Sequence, residues 1–167
     1  MVELMVTLAV AIILTMIAVP AVQGLLERQR LSAAVEAVQA QFVFAKSEAA
    51  KRSQAIAVRV AAGPPWAIGV GDDTACAPAA CMLTYRQTDG TAVTRVHAIT
   101  GADYAGAVVA TSVAGGGFNF EPVRGTVNPG TLTLTSPASS LAVDIRIDAT
   151  GRMVICSPNF GRYPACS

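Results

Sequence analysis

Residues 4–26 carry no charged side chain, and the acid Glu3 stands directly before them. From Leu4 to Val22 alone there are 19 uncharged residues. As an α-helix rising about 1.5 Å per residue, such a run covers about 30 Å, the hydrocarbon thickness of a bilayer. A secretory signal peptide would have a shorter apolar core, basic residues in front and a small-residue cleavage site behind. Here the helical pattern simply continues. The run therefore reads as a single-pass transmembrane helix. Pro20 and Gly24 interrupt it, and Pro20 removes one backbone hydrogen bond, so a kink or local melting is expected there.

Beyond Leu26 the pattern becomes one-sided. Leu31, Val35, Val38, Phe42, Ala45 and Ala49 recur at spacings of four and three, which is one face of a helix. Glu27, Arg28, Arg30, Glu36, Lys46, Glu48 and Arg52 fall largely off that face. Glu48 and Arg52, four apart, support the helix as a pair. One helix from about Glu3 to about Ser53 follows, apolar all round in its first half and striped in its second. The chain divides into residues 1–26 (transmembrane half), 27–54 (amphipathic half, packing on a globular domain) and 55–167 (β-rich globular domain with a disulfide-tied tail).

After Ser53 the period changes from 3.6 to 2. Ile56, Val58 and Val60 alternate with Ala57 and Arg59, and Trp66, Ile68 and Val70 alternate after Gly63-Pro64-Pro65. Residues 82–86, 93–99, 132–135, 141–147 and 152–156 read as further strands, with Phe118-Asn119-Phe120 a short one. Asn128-Pro129-Gly130 and Asp148-Ala149-Thr150-Gly151 supply turn chemistry between such runs. Spacing this short implies antiparallel sheets joined by hairpins, so the fold class is α+β. Only 14% of residues are charged, against roughly 25% in an average soluble domain, which excludes disorder. The net charge is +1, or +2 once Glu3 is set aside, a weak electrostatic footprint for a nucleic-acid domain.

Four cysteines, Cys76, Cys81, Cys156 and Cys166, form two local pairs, with four and nine residues between partners. Zinc is the competing reading, but the spacings are not paired Cys-x-x-Cys knuckles and the single histidine is distant. Two disulfides in an oxidising compartment, Cys76–Cys81 and Cys156–Cys166, are the expectation. Catalytic chemistry is sparse. His97 sits in the alternating run 93–99 on the face of Arg95, as a structural or surface strand histidine does. There is no Gly-x-Ser-x-Gly elbow and no phosphate loop. Gly69-Val70-Gly71 and Ala114-Gly115-Gly116-Gly117 read as flexible turns, and Asp72-Asp73 as a solvated loop rather than a calcium site. No catalytic residue, cofactor or metal is expected.

The opening residues, Glu3-Leu4-Met5-Val6-Thr7-Leu8-Ala9-Val10-Ala11-Ile12, resemble the start of a mature type IV pilin or type II secretion pseudopilin. In those families a glutamate matching Glu3 heads the apolar helix. The basic leader and the phenylalanine that precede it are not among these residues, so leader cleavage and N-methylation are not read from them. Residues 118–127, followed by Leu132-Thr133-Leu134, and the hairpin 147–156 resemble the GspH/FimT/FimU branch. The resemblance implies a minor pilin: a long helix packed on a β domain, held in the inner membrane with the domain in the periplasm and then drawn into a fibre of major and minor pilins. It also implies an assembly role for Glu3. A type II secretion pseudopilin remains an alternative.

One further constellation lies in residues 157–166, a loop closed by Cys156–Cys166 that carries Arg162 between Phe160 and Tyr163. Arginine on phosphate with aromatics stacking on bases holds DNA without reading sequence. FimT members of the resembled branch bind DNA through a tail with Gly-Arg-x-Arg. Gly161-Arg162-Tyr163 matches it, while Pro164 stands where the second arginine belongs. Weak DNA binding for uptake and a structural loop at a pilin–pilin contact are both open at this point.

Overall fold

A computed structural model describes residues 2–166, with the side chains of residues 15, 17–21 and 114 outside that description. A single helix, α1 (Val2–Arg52), leads into a β domain. The helix runs through Pro20 and Gly24 without a break, so the local melting expected at Pro20 does not occur. A proline inside a helix costs about 3 kcal/mol, and here intact turns continue on both sides of it. The uncharged run read above as a membrane span includes residues 15 and 17–21. Among the described residues, no helix is long and apolar enough to cross a membrane.

The two halves of α1 have opposite environments. Leu4, Met5, Leu8, Ile13 and Leu14 are all exposed by half or more of their surface. In the second half the stripe Leu31, Val35, Val38, Phe42, Ala45 and Ala49 is at most 1% exposed. Burying a Leu, Val or Phe side chain stabilises by roughly 1.5–3 kcal/mol, so this stripe is the main apolar bond between the helix and the domain.

The domain consists of β1 (Ile56–Ala61), β2 (Ala67–Gly71), β3 (Met82–Arg86), β4 (Ala92–Val96), β5 (Ala98–Thr100), β6 (Val108–Thr111), β7 (Gly117–Phe120), β8 (Gly130–Ser136), β9 (Leu141–Ile147) and β10 (Met153–Cys156). They form two four-stranded sheets, in the orders β5-β2-β1-β7 and β10-β9-β8-β6, and a separate hairpin β3-β4. Every pairing is antiparallel. Helix α1 touches β1, β2 and β7 of the first sheet and β8 and β9 of the second. Its Phe42 ring meets Phe118 and Phe120 edge-on, with centroids 5.1 and 6.2 Å away. Leu132 and Leu134 on β8, with Val143 and Ile145 on β9, face the same core at period 2.

Two readings change, and one strand had not been read. The run 93–99 is not one strand. It breaks at His97, where the chain leaves β4 for β5, the edge of a different sheet. Alternation persists across such a corner, so periodicity does not reveal it. Gly69-Val70-Gly71 is not a turn but buried strand β2. A Cβ at Gly69 would strike the Pro78 carbonyl oxygen and the Cβ of Cys81, so the glycine lets the Cys76–Cys81 loop lie flat on the strand. Strand β6, four residues long, gave no signal that alternation could register.

Candidate functional site

The tail is built around Cys156–Cys166, which joins the end of β10 to the end of the loop. Within the loop the Ser157 amide donates to the Pro164 carbonyl at 2.9 Å, and the Ser157 hydroxyl accepts from the Phe160 amide at 2.8 Å. These bonds turn Phe160 inward. It is only 8% exposed and belongs to the core, meeting Tyr163 edge-on at 5.6 Å. Phe160 is therefore not displayed for stacking on a base, contrary to the sequence expectation, because the burial gained by a phenyl ring outweighs anything solvent offers it.

Tyr163 is half-buried against the same cluster. Burial pushes its phenol above the ordinary range, with Arg162 pulling it down and Glu36 pushing it up. Its hydroxyl has no hydrogen-bond partner among the described residues. Arg162 reaches back to α1 instead of outward: one guanidinium nitrogen lies 2.8 Å from Glu36 Oε1 and another 3.4 Å from Ser32 Oγ. Gly161 is exposed with open space around it. The four tail residues are thus adjacent, but the aromatics serve the core and the cation serves the helix.

A second cluster sits at the far end of α1. Arg52 donates to Glu48 at 2.8 Å and to the Thr84 carbonyl at 2.6 Å, and its guanidinium lies 4.4 Å over the Tyr85 ring. Lys51 adds a contact to Glu48 at 3.2 Å. Burial pushes the Glu48 carboxyl up, but the hydrogen bonds from Arg52 and Lys51 outweigh it and hold the group below its ordinary value. Tyr85 Oη and His97 Nε2 are 2.8 Å apart, and the imidazole stacks on Phe44 at 5.0 Å. Burial holds His97 below its ordinary value, opposed by the Glu48 charge. The sequence marked Glu48–Arg52 only as a helix pair and His97 only as a strand residue. Their meeting depends on where the β3-β4 hairpin folds over α1, which local spacing does not encode. With Lys46, which donates to the Gly151 carbonyl at 3.1 Å, and Arg162 on Glu36, the helix is tied to the domain at three levels.

Glu3 is exposed in the first turn of α1. Asp72 accepts from the Thr84 amide at 3.0 Å and Asp73 from the Ala75 amide at 2.8 Å, so both acids organise the loop that leads into the first disulfide, Cys76–Cys81. Asp144 lies near Cys156 and Cys166, but those sulfurs are bonded to each other. The chemistry of these groups is that of tethers and caps.

The structure thus sets a helix bare in one half and bound in the other against antiparallel sheets stapled by two short disulfide loops. The model of the GspH family, described as type II transport protein GspH, matches residues 34–151. The match spans well over half of the chain, and the chain belongs to that family. A solved structure, the type IV minor pilin FimU of Pseudomonas aeruginosa, shares the fold with a TM-score of 0.54 at 18% identity, over 77% of this chain and 97% of that one. No curated protein matches the chain. Family and fold alike are those of structural pilin subunits.

Proposed function

We propose that the chain is a minor pilin that waits in the inner membrane through residues 4–26 and then enters a type IV pilus-like fibre, priming it or capping it. The observation that carries this is the bare first half of α1: Leu4, Met5, Leu8, Ile13 and Leu14 face outward with nothing of their own domain to cover them. Lipid covers them before assembly, and the helices of major and minor pilins cover them afterwards. The domain at residues 55–167 stays in the periplasm until then.

Glu3 is the assembly residue in this reading. A carboxylate carried into an apolar fibre core unpaired costs several kcal/mol, so it requires a cation there. An N-terminal amine, its own or a neighbour's, is the partner that the family resemblance implies. Duplex DNA is a weak partner at best, since Phe160 is buried and Arg162 already has Glu36. Any binding belongs in the nonspecific range of about 10⁻⁴–10⁻⁶ M.

The test is Glu3→Ala, followed by fractionation of sheared fibres from membranes. The variant is expected to fold and remain in the membrane fraction while losing its place in the fibre. Equal incorporation of variant and wild type would remove Glu3 from the account. The subunits that co-purify decide between a pilus and a secretion pseudopilus.

A further inference from the structure

The antiparallel strands sort the loops of the domain between two ends. The loops 62–66, 101–107 and 136–140 lie at the end where α1 enters, because Glu27, Arg30 and Leu31 line one groove together with Ala105, Gly106 and Ala138. Gly106 and Ala138 also line the adjoining groove, which continues over Pro64, Pro65, Ala102 and Pro137. In these three loops the single charged residue is Asp103, and the tail loop, which packs beside Ser140 at the same end, adds Arg162 in its pair with Glu36. Pro64, Pro65, Ala102, Ala105, Pro137 and Ala138 are all exposed. The opposite end differs: its turns carry Asp72, Asp73, Glu121, Arg124, Asp148 and Arg152.

We propose that this charge-poor end is a docking face for the lipid surface, on which the β domain rests while α1 spans the bilayer. The inference builds on the membrane-anchored reading above. Its geometry follows from the helix. Leu26 ends the uncharged run, and five residues at about 1.5 Å each place Leu31 only about 7.5 Å beyond it. The headgroup layer beyond the hydrocarbon is about 5–7 Å deep on each side. Loops flanking Glu27–Leu31 therefore stand at headgroup level, where an exposed surface of proline, alanine and glycine meets the interface without desolvating charge. Glu27, Arg28 and Arg30 stand at the same level, and the two exposed arginines are long enough to reach the headgroups.

The protein carries its own probe. Trp66 is its one tryptophan, 1% exposed, stacked on Tyr104 at 5.9 Å and lining the proposed face from within. The experiment uses the full chain reconstituted into vesicles of phosphatidylcholine and phosphatidylglycerol, with the lipid brominated high on its acyl chains, near their ends, or not at all. The chain is expected to float with the vesicles and Trp66 emission to fall most with the shallow bromines. The double variant Ala102→Glu, Ala138→Glu is expected to float equally and to keep its thermal unfolding in detergent, yet lose the quenching. A chain that floats with unquenched Trp66 would overturn the docking face and leave the anchor intact. So would quenching that the double variant retains, or Trp66 emission that changes with protein density in unbrominated lipid, which would mark a second copy on this face. Failure to float would overturn the anchor reading itself.

Discussion

The first and second halves of α1 are one continuous helix in two different settings, one bare and one clad. In the second half most of the large apolar residues lie in a buried stripe that joins the core of the same chain, with Val43 an exposed exception. In the first half apolar residues occupy every face, and exposed Leu4, Met5 and Leu14 meet none of it. A helix needs a stripe when its own domain covers one side, and needs apolar surface all round when other molecules surround it. The division teaches that the domain's stability and the subunit's assembly are written in separate stretches of one element, so substitutions should separate them.

The largest expected effect is in the clad half. Phe42→Ala removes the ring set against Phe118 and Phe120 and should destabilise the domain by about 3–5 kcal/mol, whereas Leu8→Ala should leave domain unfolding unchanged. Denaturant titration of the full chain in detergent compares the two, and equal effects would break the distinction. Next come the staples. In the chain-entropy view, opening Cys156–Cys166 with paired serines should cost about 3 kcal/mol, and opening the shorter Cys76–Cys81 loop about 2 kcal/mol. Thermal unfolding with and without reductant reads both.

The cluster at the end of α1 should make the clad half acid-sensitive. His97 is held below its ordinary 6.5, so the unfolded chain takes up a proton first and stability falls as pH drops through that value. Glu48 is held below its ordinary 4.5, so its contribution is present above that pH and is lost as pH falls further toward the folded value. Glu48→Gln should abolish the lower window and cost about 1–3 kcal/mol at neutral pH, since Arg52 is left half-buried with a weaker partner. Unfolding measured across the two windows checks this. The smallest effect belongs to Arg162→Ala. Its ion pair with Glu36 is exposed on both sides, so about 0.2–1 kcal/mol is expected, fading with salt.

Much of this was legible in the sequence for a physical reason. Leu31, Val35, Val38, Phe42, Ala45 and Ala49 share a face because 3.6 residues make a turn, whatever they pack against. The strands of the β8-β9 hairpin were legible because one face is buried and the other wet. Phe160 was not, since an aromatic in a loop can turn either way and only the Ser157 bonds and a nearby core decide. Nor was the corner at His97, where alternation runs on while the partner sheet changes. The meeting of Arg52, Tyr85 and His97 needs the third dimension, and no local pattern specifies it.

The most direct test of this division removes the first half of the helix. Residues 25–167, expressed alone, should be soluble and monomeric, with a β-rich circular dichroism spectrum and a cooperative unfolding transition, because the stripe from Leu31 to Ala49 is covered from within. A fragment that precipitates, or that lacks a cooperative transition, would mean that the stripe requires another subunit and would contradict the assignment of that half to its own domain.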